Sequence, residues 1–344
     1  MNKQTPALLV TGGAGFIGSN FITYFLEKYP NQQLLNVDKL TYAGSTENVK
    51  EAADSKNYHF IQADISDENL INAIFDEYEI NGVINFAAES HVDRSIQDAK
   101  EFVKSNVLGT MVLLQAARSS WEKKGVLGKR RFHQISTDEV YGSLGETGKF
   151  NEKTPFNPRN PYSASKAGAN MLVKSFGYTY GMNVVISSSS NNYGPRQHEE
   201  KLIPAIIWEA LSGKPIPIYG DGMNIRDWLY VQDHCRALDV IYHKAAPLEL
   251  YTIGGNNEKT NIEIAETICD ILDELEPDTK KKFSLNSFRE LITFTEDRLG
   301  HDRRYAVDDT NLRKNLSWTP EEPLESGLKK TVEWYVNKWK TPVY

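Results

Sequence analysis

The sequence predicts an α/β fold, a doubly wound parallel sheet followed by a smaller C-terminal α/β lobe. Three observations carry this. Short apolar runs alternate with stretches of helical periodicity through the first half of the chain, the pattern of βαβ units. The first apolar run opens directly onto a glycine-rich turn. After Gly194-Pro195 the rhythm breaks into shorter elements, which predicts one domain over 1–194 and a second over 195–344, with some segments of the latter returning to the main sheet.

Ala7-Leu8-Leu9-Val10 forms the first strand, and Thr11-Gly12-Gly13-Ala14-Gly15-Phe16-Ile17-Gly18 follows at once. Ile17, Phe21, Tyr24, Phe25 and Lys28 then fall at helical spacing. Strand, glycine turn and helix together make the fingerprint of a Rossmann dinucleotide site, where backbone approaches a pyrophosphate and a helix N-terminus supplies free N–H groups. A second strand, 34–37, ends in Asp38, twenty residues after Gly18. An acid there meets the adenosine ribose hydroxyls and repels a 2′-phosphate, so NAD is expected rather than NADP.

The alternation continues with a strand at 58–62, then Asp64-Ile65 and a helix striped by Leu70, Ile71, Ile74, Phe75 and Tyr78. A buried strand at 82–87 releases Ala88-Glu89-Ser90-His91 at its end. Asn106 interrupts the apolar stripe of a long helix over 102–117. A buried polar residue needs a partner, so Asn106 is either a satisfied core residue or part of a site. A strand at 132–136, a proline-rich loop, a helix from about Tyr162 and a strand at 183–188 complete this half. Beyond it the sequence predicts helices at 203–211, 231–244, 262–275 and 324–339, strands at 215–219 and 250–253, and a Lys-rich surface loop over 276–287.

Composition narrows the function. With 40% hydrophobic and 25% charged residues and a net charge of −7, the 344-residue chain is ordinarily globular and lacks the basic footprint of a nucleic-acid binder. No apolar run approaches the roughly 18 residues of a membrane span. The N-terminus passes almost directly into a strand without a signal peptide's apolar region. Cys235 and Cys269 sit in helix-like apolar patterns without metal-ligand spacing, so two buried thiols in a reducing cytoplasm, and no metal site, are expected.

Two constellations carry chemistry. Ser136-Thr137-Asp138-Glu139-Val140-Tyr141-Gly142 follows a buried strand and lies at its C-terminal edge, which in open α/β sheets faces the ligand crevice. Thr-Asp is also good N-cap chemistry, so the heptapeptide reads as a helix cap or as a site. Tyr162 and Lys166 stand four apart on one helical face; Tyr24 and Lys28 repeat the spacing in the wrong helix. A Tyr base must come down from about 10 towards 7, a change of roughly 4 kcal/mol. A nearby ammonium and a cationic nicotinamide favour the phenolate and supply it.

Gly12-x-x-Gly15-x-x-Gly18, Asp64-Ile65, Asn106 and Tyr162-x-x-x-Lys166 resemble the extended short-chain dehydrogenase/reductase superfamily over nearly the whole chain. Within it, Thr137-Asp138-Glu139-Val140-Tyr141-Gly142 resembles the signature of the dTDP-glucose 4,6-dehydratases, the second step of dTDP-rhamnose synthesis. Further matching blocks run from Asp38 to Gly44, Ala87 to Ser95, Ser190 to Pro195, Arg226 to Val231 and Gly300 to Tyr305. Leu299 stands where the family usually has Pro, Gln232 where it usually has Glu, and the loop 143–161 is shorter than in many members.

The resemblance implies NAD held by Gly12, Gly15, Phe16, Ile17, Gly18, Asp38, Lys39, Leu40, Thr41, Asp64, Ile65, Ala87, Ala88, Ser105, Tyr162, Lys166 and Asn192. It implies a dTDP-glucose partner held by Ser90, Thr137, Asn191, Lys201, Leu202, Pro217, Ile218, Tyr219, Arg226, Asn261, Asp297, Arg298, His301 and Tyr305. C4 would be oxidised with Tyr162 as base and NAD as hydride acceptor, Lys166 and Asn106 belonging to the same catalytic set. Thr137 would hold the C4 oxygen, Glu139 would remove the C5 proton, and protonated Asp138 would release the C6 hydroxyl. The aromatic setting of Arg226, beside Trp228 and Tyr230, predicts a buried guanidinium rather than a surface pair with Asp227. His91 and His301 read as ordinary satisfied histidines. Helices 101–118 and 162–180 would form a homodimer interface. A 4-epimerase or decarboxylase would lack the Asp-Glu dyad, and a silent NAD-binding scaffold would lose the Tyr, the Lys or the dyad. Physics alone leaves the base of the nucleotide open.

Overall fold

The computed structural model describes residues 5–297 and 300–341. Its main sheet has seven strands, all parallel, in the spatial order Leu250–Ile253, Asn183–Ser189, Arg131–Thr137, Ile80–Asn85, Ala7–Thr11, Gln33–Asp38 and Tyr58–Gln62. The chain starts at Ala7–Thr11, moves out to one edge, then returns to lay Ile80–Asn85 on the other side of its first strand. That reversal opens the ligand crevice of a doubly wound sheet at the C-terminal ends of those two strands.

Helices cover both faces, as a wholly parallel sheet requires. On one face Ile71, Ile74, Leu113, Leu114, Trp121 and Val173 pack against Val83, Phe132 and Val184. On the other, helix Phe16–Lys28 contributes Phe21, Ile22 and Phe25, and helix Val231–Lys244 contributes Cys235, Leu238 and Ile241. That second helix and the strand Leu250–Ile253 return from the C-terminal half to complete the main sheet. A third core gathers the helices Leu202–Leu211, Asn261–Leu275 and Leu324–Lys340 around strands Ile216–Tyr219 and Ile225–Tyr230. Cys235 and Cys269 are buried free thiols in two different cores.

Several elements differ from the sequence expectations. The stretch expected as a surface loop over 276–287 contains the helix Pro277–Lys282, opened by a proline at its first position, where the missing N–H costs nothing. The expected helix 102–117 runs from Lys100 to Lys123 and contains a π turn at Val103–Leu108, which holds Ser105 and Asn106. The strand expected at 82–87 is Ile80–Asn85. Short strands at Asn191–Tyr193, Glu258–Thr260 and Ile292–Thr295 were not expected, because runs of three or four residues show no periodicity.

Candidate active site

The cleft at the crevice holds about 330 Å³ and is walled by the ends of six main-sheet strands. Its floor is the glycine turn. Gly12 has φ +68, and a Cβ there would lie 2.5 Å from the Ala87 backbone nitrogen, so only glycine lets the two strand ends meet. Helix Phe16–Lys28 begins at Gly15, without a side-chain cap or an acid in its first turn. Its N-terminal N–H groups therefore remain available to an anion. Asp38 ends the neighbouring strand, and its two oxygens accept the N–H groups of Ala14 (2.8 Å) and Leu40 (2.8 Å). These bonds fix the carboxylate while leaving lone pairs for hydroxyl donors. Burial raises the Asp38 carboxyl above its usual range, against the pull of the two N–H groups. Lys39 pairs with Asp64 at 3.1 Å.

Asp138 and Glu139 sit where the sequence placed them, in the one-turn helix Asp138–Tyr141 at the end of strand Arg131–Thr137. Thr137 caps this turn, its hydroxyl accepting the Glu139 N–H at 3.3 Å. The cap and the site are thus the same object. Gly142 (φ +89) closes the turn, where a Cβ would lie 2.6 Å from the Asn157 carbonyl. Asp138 is 2% exposed. Burial, then the charges of Glu139 and Asp227, hold its carboxyl well above the usual range, against the pull of Arg226. Glu139 lines the cleft beside it. A raised Asp138 beside a second carboxylate is the arrangement in which close acids come to hold different protonation states.

Tyr162 and Lys166 open the helix Pro161–Tyr180, started by a capping box between Asn160 and Ser163 with proline at its head. Lys166 is buried, its Nζ donates to the Ile135 carbonyl at 2.7 Å, and burial brings its ammonium down to about 8. The expectation of a lowered Tyr162 is not met by the protein groups alone. Burial, then the Glu139 and Asp138 charges, raise it, and the Thr137 hydroxyl pulls only partly the other way. A phenolate there needs further positive charge in the cleft.

Asn106 lies behind the cleft wall. Its Oδ1 accepts the Glu89 N–H (2.8 Å), and its Nδ2 donates to the Glu89 carbonyl (3.0 Å) and the Ser165 hydroxyl (2.8 Å). It pins the segment after strand Ile80–Asn85 to the helix of Tyr162, with both amide hydrogens and Oδ1 engaged. The π turn, a common device at functional sites, aims it there.

Gly12, Gly15, Phe16, Ile17, Gly18, Asp38, Lys39, Thr41, Asp64, Ile65, Ala87, Ala88, Ser90, Ser105, Thr137, Asn191, Asn192 and Lys201 also line this cleft. Leu40, Leu202, Pro217, Ile218, Tyr219, Arg226, Asn261, Asp297, His301 and Tyr305 do not. Arg298, like Leu299, lies outside the described residues. Arg226 is 4% exposed, as its aromatic setting predicted, but stacks on Tyr305 at 4.4 Å and donates to the Asp302 carbonyl at 2.8 Å. His301 accompanies Asp297 at 2.6 Å and meets Tyr219 edge-on. Asn261 opens its helix, its N–H bonded to the Asn224 carbonyl. His91 caps the helix Val92–Gln97.

Glu89, Gln197, His198 and Glu200 line the cleft and were not singled out from sequence. Glu89 lay inside a matching block and Glu200 beside Lys201. Gln197 and His198 gave no signal.

A glycine-turn cleft at the switch point, joined to a buried Tyr–Lys pair, defines a dinucleotide-dependent enzyme of the short-chain dehydrogenase/reductase kind. Residues 9–331 match the family model described as GDP-mannose 4,6 dehydratase. The dTDP-glucose 4,6-dehydratase of Neisseria gonorrhoeae is 50% identical over 333 residues, 96% of this chain and 95% of that protein. Among solved structures, the Bacillus anthracis dTDP-glucose 4,6-dehydratase in complex with NAD superposes with a TM-score of 0.84 at 42% identity, covering 98% of each chain. DesIV of Streptomyces venezuelae, a dTDP-glucose 4,6-dehydratase with NAD and TYD bound, gives 0.86 at 37% identity, covering 97% of this chain and 98% of its own. The chain belongs to the dTDP-glucose 4,6-dehydratase family.

Proposed function

We propose that this chain is a hydro-lyase converting dTDP-glucose to dTDP-4-dehydro-6-deoxyglucose with NAD as resident cofactor. The observation that carries it is the buried Asp138, its carboxyl held well above the usual range, beside Glu139 and one strand end from Tyr162 and Lys166. The glycine turn, the free start of helix Phe16–Lys28 and the fixed Asp38 carboxylate fit a dinucleotide. NAD, when bound, supplies the two-electron acceptor that takes the C4 hydrogen and returns it at C6.

The chain's own residues handle the protons. Tyr162 Oη takes the C4 hydroxyl proton, with Lys166 and the cationic cofactor supplying the charge that favours its phenolate, and Thr137 holds the C4 oxygen. The ketone acidifies C5, and Glu139 removes that proton. Asp138 gives its proton to the C6 hydroxyl, which leaves as water. Glu139 then reprotonates C5. Side chains adjacent on a helical turn diverge by roughly 100°, so the two acids serve neighbouring carbons.

Arg226, Tyr219, Asn261, Asp297 and His301 are assigned to the nucleotide, with 195–344, apart from the helix and strand that return to the main sheet, as the sugar-nucleotide lobe. Incubation with dTDP-, UDP-, CDP- and GDP-glucose tests the substrate; a 4-keto-6-deoxy product from the dTDP sugar is expected, and its absence rejects the assignment. Residence in a reducing cytoplasm is supported by the two buried free thiols. No described helix is long and apolar enough to cross a membrane.

Assembly as a homodimer through helices Gly109–Lys123 and Pro161–Tyr180 is supported by apolar side chains exposed on the π turn that leads into the first, Val103 and Leu108, and on the second, Met171 and Tyr178. Sedimentation equilibrium at micromolar concentration should give a dimer; a monomer rejects it.

A further inference from the structure

Asn192 lines the cleft, and its carboxamide is fixed from opposite sides. Its Nδ2 donates to the Ser190 carbonyl (3.0 Å) and the Ser189 hydroxyl (3.1 Å). A carbonyl only accepts, so the NH₂ end must face Ser190 and Oδ1 must face the other way. There it meets His234 Nδ1 at 2.8 Å. Because Oδ1 also only accepts, Nδ1 carries the hydrogen. His234 is fully buried in the first turn of helix Val231–Lys244, and burial pushes its imidazole down to about 3, so it stays neutral. Its Nε2 has no partner among the described residues. The ring therefore offers one donor, and that donor goes to one residue of the cleft.

The same turn repeats the device. Gln232 donates to Asn20 Oδ1 at 3.2 Å, and Asn20 donates to the carbonyls of Phe16 (2.9 Å) and Pro195 (3.0 Å). One helix start, contributed by the second half of the chain, thus braces both the helix after the glycine turn and the segment carrying Asn192.

Resting on the dinucleotide reading above, the geometry points to His234 as a positioning residue for the cofactor, holding the Asn192 carboxamide in the single orientation the cleft presents. Without this donor, Oδ1 faces a buried wall unsatisfied, and the amide turns to find a partner elsewhere. His234→Leu keeps the volume and removes the donor. His234→Asn places an amide N–H near the position of Nδ1.

The test is calorimetric titration of NAD into the full-length wild type and both variants, with the thermal midpoint of each measured alongside. His234→Leu should weaken NAD binding by roughly 10-fold, His234→Asn should recover most of that loss, and His234→Leu should have no further effect in an Asn192→Ala background. Unchanged binding in His234→Leu overturns the inference. So does equal weakening in both variants, which would mark His234 as packing alone. A wild type that binds no NAD would sink the dinucleotide reading itself, and this inference with it.

Discussion

The two halves of this molecule carry their function differently. The dinucleotide crevice is assembled from strand ends, so its residues arrive in contiguous motifs: Gly12 to Gly18, Thr137 to Gly142, Tyr162 to Lys166. One sheet brings them to one cleft. The C-terminal lobe draws Arg226 from one sheet, Tyr219 from another, and Asp297 and His301 from the loop after a third strand. None of these four lines the crevice. The contrast teaches that a parallel sheet concentrates side chains at one edge, whereas the residues proposed for the nucleotide are spread over several short elements. Catalysis should therefore fail when single residues of the first region change, and affinity should fail when those of the second do.

The largest effect that sharpens this contrast is expected at Glu139. Replacing it with Gln keeps the size and removes the base, which should cost about 10² to 10⁴ in rate. Oxidation at C4 remains possible, so reduced dinucleotide and 4-keto-hexose should accumulate on the enzyme, visible at the nicotinamide absorbance, while solvent deuterium enters C5 slowly. Tyr162→Phe should form almost no reduced dinucleotide. If Glu139→Gln turned over normally with normal C5 exchange, the dyad would be no more than a cap.

In the second region, Arg226→Met should raise KM for the sugar nucleotide by on the order of 10- to 100-fold, the range for losing charge-assisted hydrogen bonds to an anion. NAD affinity should stay unchanged, since Arg226 is not among the residues that line the dinucleotide cleft. A shift in NAD affinity as large as that in KM, measured by parallel titrations, would erase the separation between the two regions.

What was legible follows the same division. The main-sheet strands announced themselves as apolar runs, and the dyad and Tyr–Lys pair were readable because each is local in sequence. The π turn was not, since its sequence, Val103 to Leu108, reads as ordinary helix. Arg226 was readable as buried, but its stacking partner lies far along the chain at Tyr305 rather than beside it at Trp228. The helix Pro277–Lys282 buries nothing, so no apolar stripe marked it. His234 gave no signal, because a lone histidine in an apolar helix acquires meaning only when its ring is seen against Asn192. Long-range pairing is what the sequence leaves unwritten.

An effect on stability rather than on rate is the most direct check on the raised acid. Burial and the neighbouring charges hold the Asp138 carboxyl well above the usual range. Above about pH 4 the unfolded chain has released that proton while the native chain keeps it. The native state then binds more protons, so stability falls as pH rises, by up to about 1.4 kcal/mol per pH unit, until the folded-state value is passed. Asp227, raised to about 6 by burial first, adds a slope of the same sign and is present in both proteins. Asp138→Asn removes only the first contribution. Its urea midpoint, measured without ligand at a series of pH values from 4 to 8, should fall less steeply than the wild type's, so the variant gains relative stability as pH rises. The same variant should still exchange C5 hydrogen yet eliminate no water, since the acid is lost and the base remains. Parallel stability curves would mean that Asp138 is ionised in the folded protein, and the assignment of acid and base within the dyad would have to be reversed.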